Sequence, residues 1–370
     1  MMNRGLLART ITILGLVLLT GATTGATTGA TRPAIVRARS ANATGASVNG
    51  PLLVYAQLSG GMRIVTVRNG LPATVLARGL AAPLFFAHAL APSPRGRYVA
   101  VGEGARGLWL VGSDGAGLRQ LLPAPRSADP SKRLAVGPVA WSPDRYRLAY
   151  AVNGADPTHG SAAVDATGIY LTRYDTPHPD LLLTMSQLDD YLTTALGSAQ
   201  AGGPPIITRL SWSADGRTLA VSLLRPAVGD NVDPGQGIPL ILSVDAATGK
   251  TRLLVNGGHD GAYSPTTGAL AYISGGYDIT SIGSASLRVA DAAGRHGRVL
   301  ARGALTGLSW SPDGAALAVI EDYMDGGAFV DTLDIATGRR RRVLTAPRHG
   351  AVSPSTFLSF FNVAWLPVKQ

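Results

Sequence analysis

The chain offers few side chains able to make or break bonds. Its 370 residues include no cysteine, which removes disulfides, thiolate nucleophiles and cysteine-held metals. It has six histidines, only two glutamates (Glu103 and Glu321), and no His-Glu-x-x-His, Gly-x-Ser-x-Gly or phosphate-loop pattern. The usual acid-base, nucleophilic and phosphoryl-transfer sets are therefore missing. The candidates left are defined by position. His88 and His259 each stand four residues before the same point of an internal repeat, and Arg209 and Asp260 take the next place along their own segments. In a ring, units three apart would set the two histidines across its mouth, too far from each other to share one metal. With Arg209 and Asp260 they would still meet a ligand lodged there. The ordinary alternative is histidine that is structural or solvated. Two acidic stretches, Asp230-Asn-Val-Asp233 and Glu321-Asp322-Tyr-Met-Asp325-Gly326, gather oxygen ligands without the alternating spacing and final Glu of an EF-hand loop. Calcium is the one cofactor they would suggest, solvated loops are their default, and no other cofactor is expected.

The elements that must position these residues are announced by the repeat itself. Six times between residues 92 and 365 an apolar strand runs into a tight turn, and from four of these turns it comes out again as Leu-Ala-Val/Tyr. The turns are Pro92-Ser93-Pro94-Arg95-Gly96, Trp141-Ser142-Pro143-Asp144, Trp212-Ser213-Ala214-Asp215-Gly216, Tyr263-Ser264-Pro265-Thr266, Trp310-Ser311-Pro312-Asp313-Gly314 and a truncated Trp365-Leu366-Pro367. Their spacings of 49, 71, 51, 47 and 55 residues are blade-sized, the mark of a β-propeller. With 46 glycines and 24 prolines the chain has the punctuation that many short strands need. Each unit reads as four strands, the last two joined by loops such as Asp245-Ala-Ala-Thr-Gly249 and Asp334-Ile-Ala-Thr-Gly338. The last unit supplies one strand only, and the segments Leu52 to Ala56, Arg63 to Val67 and Thr74 to Ala77 supply the three it lacks. The fold class expected is all-β, a six-bladed β-propeller over 51–370 of four-stranded blades, closed by the N-terminal strands pairing with the C-terminal strand.

Ahead of the propeller the chain changes character. Arg4 and Arg9 flank an almost wholly apolar run from Ile11 to Ala22, so residues 1–30 read as a signal peptide or an uncleaved signal anchor. Residues 31–50 read as a flexible Thr/Gly/Ala-rich spacer. An extracytoplasmic address follows: secreted, periplasmic or on the outer face of a membrane, tethered by the N-terminal helix if the leader stays. The net charge of +10 falls to +5 once Arg4, Arg9, Arg32, Arg37 and Arg39 are set aside. Nucleic acid is not expected as a partner of such a protein.

Strand direction alternates, so both tight-turn types lie on one rim, while the second-to-third connections and the blade crossings lie on the other. The insertions all fall on that second rim: Asn153 to Gly168, Met185 to Pro205, Arg225 to Pro239, Ser274 to Ser286, Glu321 to Ala328 and Ala346 to Phe361. Long connections on a rigid ring carry recognition, although permissive loops also drift neutrally. Within them Ser186 to Gly197 reads as a short amphipathic helix capped by Ser186. Phe85 and Phe86 enter the first unit while Phe357, Phe360 and Phe361 enter the last, and together they would floor an apolar pocket or simply pack beneath the loops. The tight rim is basic, with Arg95, Arg97, Arg145, Arg147, Arg298 and the run Arg339 to Arg342. It would face anionic polymer or lipid headgroups, or serve only as solvated charge.

The phrase Trp-Ser-Pro-Asp-Gly followed by Leu-Ala resembles the repeat of the TolB-like six-bladed propellers, a WD-like family found in bacterial envelope proteins and in the propeller domains of prolyl-oligopeptidase-type enzymes. The resemblance covers residues 51 to 370. Two copies stand close to the family phrase, at Trp212 and Trp310, and the second unit has Arg145 where the phrase has Gly. The motif speaks for fold and is nearly silent on activity. TolB itself carries an α/β domain before its propeller, where this chain has only the Thr/Gly-rich spacer, which weighs against a Tol-system role. Two readings of function follow. The first is a monomeric, non-catalytic binding module that takes a protein or cell-envelope component on its loop-rich rim. The second is a metal-dependent hydrolase or lactonase-type enzyme at the channel mouth.

Overall fold

The structure is a computed structural model, and it describes residues 50–58, 61–68, 71–78, 80, 89–129, 133–156, 160–161, 166–197, 204–226, 237–275, 284–323, 327–346 and 357–368. The expected leader and spacer, the loop carrying Asp230 and Asp233, and Phe85, Phe86 and His88 lie outside those residues. Short strands that are apolar on both faces cannot bury themselves alone, and here six antiparallel sheets stack around an axis. Chain order begins in the shared sheet with β1 (Leu52–Leu58), β2 (Gly61–Arg68) and β3 (Leu71–Arg78). The first blade is β4 (Leu90–Pro92), β5 (Tyr98–Gly102), β6 (Leu108–Gly112) and β7 (Arg119–Leu122). The second is β8 (Arg133–Trp141), β9 (Arg147–Asp156), a short β10 (Gly160–Ser161) folding back on β9, β11 (Gly168–Arg173) and β12 (Asp180–Thr184). Helix α1 (Met185–Leu196) follows. The third blade is β13 (Ile206–Trp212), β14 (Thr218–Pro226), β15 (Gly237–Asp245) and β16 (Thr251–Asn256). The fourth is β17 (Gly258–Tyr263), β18 (Leu270–Ser274), β19 (Ala285–Ala290) and β20 (Arg298–Gly303). The fifth is β21 (Leu305–Trp310), β22 (Ala316–Tyr323), β23 (Gly327–Asp334) and β24 (Arg340–Ala346), before the final β25 (Phe357–Trp365).

The sixth sheet has the order β25-β1-β2-β3. Leu52 pairs with Trp365 and Val54 with Val363, so both ends of the described chain lie in one sheet. The ring is complete: β4, β8, β13, β17, β21 and β25 each touch the next, and β25 touches β4. This is the six-bladed, terminally closed propeller that the repeat announces.

Each sheet gives its two faces to two neighbours, so the buried side chains fall into six clusters, one per blade junction, rather than one core. Leu110 meets Val136 and Leu148 between the first and second blades, Ile169 meets Leu210 and Val221 between second and third, and Ile241 meets Leu270 between third and fourth. Ile273 and Leu287 meet Leu317 between fourth and fifth, Val330 meets Val54 and Val65 between fifth and sixth, and Leu53 meets Val99 and Val111 between sixth and first. Each such side chain fully removed from water contributes about 1.5–3 kcal/mol.

Polar bonds then set the blade spacing. Two of the repeat tryptophans reach back one blade: Trp212 Nε1 donates to the Ala140 carbonyl at 3.3 Å, and Trp310 Nε1 to that of Ala262 at 2.8 Å. Buried Asn153 on β9 both donates to the Ile207 carbonyl and accepts from the Ile207 N–H, at 2.9 and 3.0 Å, stitching the second blade to the third. Asn362 on β25 accepts from the Ala89 N–H at 2.7 Å, joining the last inner strand to the first blade.

The tight turn shows why its residue types recur. Ser311 Oγ donates to Asp313 Oδ1 at 2.6 Å and accepts from the Ala316 N–H at 2.9 Å, and Asp313 also accepts from the Ala315 N–H. The fourth turn position is left-handed, with φ +71° at Gly314 and +67° at Gly216, and Arg145 holds the same conformation at φ 76° in the second blade. Relieving a left-handed arginine recovers roughly 1–2 kcal/mol, against an extra unfolded-state entropy of roughly 0.5–1 kcal/mol for glycine. Arg145→Gly is therefore expected to raise stability by about 0.5–1 kcal/mol, read as a higher urea midpoint. A lower midpoint would show that the arginine side chain earns its place.

Two local expectations need correction. Helix α1 is capped by Thr184, not Ser186: Thr184 Oγ1 accepts from the Gln187 N–H at 3.1 Å while Gln187 Oε1 accepts from the Thr184 N–H at 2.9 Å. Threonine and serine cap equally well in kind, and the Gln three residues on decides between them. The stretch from Glu321 to Ala328, read as a loop, is mostly strand, since β22 runs through Tyr323 and β23 starts at Gly327.

Candidate functional site

At the channel, the inner strands of three successive blades each carry a bulge just above the repeat turn. The register slips between Ile207 and Arg209, between His259 and Ala262, and between Leu305 and Gly307. A bulge re-aims side chains, and here Arg209, His259 and Asp260 come together. Asp260 sits at φ 54°, and the following Gly261 N–H donates to Ser222 Oγ at 2.8 Å. Arg209 Nη1 reaches past the fourth blade to donate to the Leu308 carbonyl of the fifth at 2.6 Å, and lies 3.9 Å from Asp260 Oδ1. Asp260 Oδ2 is 2.9 Å from His259 Nδ1, while His259 Nε2 is 3.2 Å from the Gly275 carbonyl. Burial pushes the Arg209 guanidinium down to about 10, with Asp260 opposing that shift.

What this cluster can do chemically follows from those bonds. Both ring nitrogens of His259 stand within hydrogen-bond distance of protein oxygens, Asp260 Oδ2 and the Gly275 carbonyl, so the ring is held inside the fold rather than turned to an open site. Arg209 is only 5% exposed and His259 4%. Among the described residues no three His, Asp or Glu side chains gather as metal ligands. The cluster ties the third, fourth and fifth blades together. Of the aromatic candidates, Phe360 is buried in the junction between the fifth and sixth blades, beside Val363 and Leu58; the side chain of Phe361 is outside the described residues.

The basic run and one acidic stretch answer each other. Glu321 on β22 and Asp331 on β23, both buried, lie on the face whose Val319 and Leu333 pack toward the fourth blade. Arg340 bonds both carboxylates, and Arg342 Nε lies 3.1 Å from Asp331 Oδ1 with its guanidinium over the Phe329 ring at 3.6 Å. Those carboxylates hold Arg340 above the ordinary arginine value against the opposing effect of burial. Elsewhere on the tight rim Arg147 pairs with Asp144 and Arg298 Nη2 donates to the Ile335 carbonyl at 2.7 Å. Part of the expected basic surface is thus engaged by carboxylates and carbonyls of the fold, although these arginines stay at least partly exposed.

On the opposite rim, between the first and second blades, lies a groove of about 580 Å³ that includes Arg106, Trp109, Gln120, Pro123, Arg126 and Arg133 in its lining. Three separate segments build it: the β5–β6 connection with β6, the start of β7 and its crossing, and the start of β8. Trp109 Nε1 and Gln120 Nε2 both donate to the Arg106 carbonyl, at 3.0 and 2.7 Å. The tight path needs Gly107, at φ +91°, where an added Cβ would meet the Leu122 carbonyl at 2.3 Å. Behind the groove, buried Glu103 pairs with Arg106 at 3.4 Å and accepts from Tyr55 Oη at 3.2 Å. Burial, then Glu103, pushes the Tyr55 phenol far up, so it stays a donor. The repeat pattern did not single this groove out. One signal was present: Trp109 is the only one of five tryptophans outside a repeat turn.

No family profile matches the sequence, and no curated protein matches it. Solved structures match the fold. TolB from Acinetobacter baumannii aligns with a TM-score of 0.56 at 13% identity over 86% of this chain and 66% of its own length. A chain described as TolB from Agrobacterium tumefaciens aligns with a TM-score of 0.49 at 17% identity, over 86% of this chain and 99% of its own. An oligogalacturonate lyase aligns at 0.45 and 16%, over 81% and 75%. The fold is that of the TolB-like six-bladed propellers, and at these identities the likeness speaks of fold alone.

Proposed function

We propose that this chain is an extracytoplasmic, non-catalytic propeller that holds a protein or envelope component against its loop-bearing rim. The observation that carries this reading is that the described channel-mouth groups, Arg209, His259 and Asp260, are bonded to one another or to backbone carbonyls, whereas the rim groove leaves Arg126 and Arg133 exposed, without an ion pair to any described residue. The address rests on the charged-then-apolar leader. The hydrolase reading would need His259 to turn a ring nitrogen away from Asp260 or the Gly275 carbonyl. The test is photo-cross-linking on the full chain in the cells that make it, with the reactive amino acid placed at Arg126 on one rim or at Ala336 on the other. Adducts from Arg126 alone are expected; none, or equal adducts from both rims, would sink the reading. Stoichiometric calcium or zinc in the purified protein, lost in His259→Ala, would establish the enzyme instead.

A further inference from the structure

Resting on that reading, we infer that the rim groove between the first and second blades docks an acidic peptide segment of a partner protein, one with an apolar side chain between carboxylates. Among the described residues the lining holds three guanidinium groups, Arg106, Arg126 and Arg133, and no carboxylate. Glu103 beneath it offsets Arg106 alone. Charge complementarity therefore selects an anionic occupant, and forked guanidiniums suit paired carboxylate oxygens.

A peptide fits better than a charged glycan because of how Trp109 is used. The Arg106 guanidinium lies over the Trp109 ring, 5.4 Å from its centroid, and the indole N–H is committed to the Arg106 carbonyl. Arg106 takes one face of the ring, and the ring packs against the junction of the sixth and first blades, so little of it is left for a sugar to stack on, yet it adds apolar surface beside the wall formed by Pro123, Ala124 and Pro125. Tryptophan and arginine are the residues that dominate protein-protein hot spots. The groove is also preorganised. Two side-chain donors converge on one carbonyl, and the bridge of Gly104 to Val136 locks the first blade to the second, so little ordering entropy is lost on docking.

The probe is a random dodecapeptide library displayed on phage and panned against the purified full chain. Selected peptides are expected to carry at least two Asp or Glu around an apolar residue, and to bind more weakly as salt rises. Their affinity should fall at least tenfold in Arg126→Glu/Arg133→Glu and partway in the Gln pair. It should hold within twofold in Arg341→Glu on the fifth blade. Arg126 and Arg133 are exposed, and an unchanged thermal midpoint confirms that each variant folds. No enrichment, enrichment without acidic bias, or binding that survives the double reversal overturns the inference. So does charge-sensitive binding of an alginate tetrasaccharide without acidic peptides. If rim cross-links persist after any of these, only the groove assignment falls; if rim cross-links never form, the reading beneath it falls as well.

Discussion

Asp260→Asn is expected to lower the free energy of unfolding by about 3 kcal/mol, although the replacement is nearly isosteric. Asparagine tolerates the left-handed backbone at this site and keeps an oxygen for His259, so the change isolates the charge. What it removes is the only carboxylate near Arg209 among the described residues, and the Arg209 side chain is 6% exposed. An uncompensated buried cation is among the costliest defects a fold can hold. Arg209→Met should cost less, because losing the Leu308 bond is partly offset by no longer burying a guanidinium that the fold disfavours in its charged form. The decisive result is the double variant. Asp260→Asn with Arg209→Met should be more stable than Asp260→Asn alone, a coupling visible in urea midpoints and, at about 2 °C per kcal/mol for a body of this size, in thermal midpoints too. Strictly additive costs would show that these groups, though 3.9 Å apart, do not sense each other.

The same cluster explains how much of the site could be read in advance. The blades were legible because their signals are local: a turn written Ser-x-Asp-Gly, a strand on either side, a return at blade-sized intervals. Even the shared sixth sheet followed from counting strands at the two ends. Arg209, His259 and Asp260 were legible as candidates because equivalent repeat positions converge on the axis. That they bond one another was not, since it depends on three bulges that leave no mark in the alternation of apolar and polar residues. The groove was less legible still. Trp109, Arg126 and Arg133 come from three segments whose approach is set by blade packing, and only the tryptophan out of place hinted at it. Taken together, the axis is where polar groups hold blades, and the rim is where they stay available. That division of labour, more than the absence of a catalytic motif, favours a binding function.

The run Arg339 to Arg342 puts that division to its sharpest test, because a surface patch and a buried ion-pair network make opposite forecasts. In a solvated patch any of the four arginines could be replaced within about 0.5 kcal/mol. Here Arg340 is bonded to both Glu321 and Asp331, whose side chains are each 2% exposed, while Arg339 makes no ion pair with a described residue. Arg340→Met should therefore destabilise by about 3 kcal/mol or more, leaving two buried carboxylates to share Arg342, which stands 3.6 Å from Glu321. Arg339→Met should be silent. Arg340→Lys should recover only part of the loss, since an ammonium cannot fork to two carboxylates as a guanidinium does. Adding Glu321→Gln to Arg340→Met should restore stability by removing the charge left behind. If chemical denaturation finds Arg339→Met and Arg340→Met equally harmless, the run is surface charge after all, free to meet an anionic partner on the tight rim, and the assignment of binding to the opposite rim loses its electrostatic support.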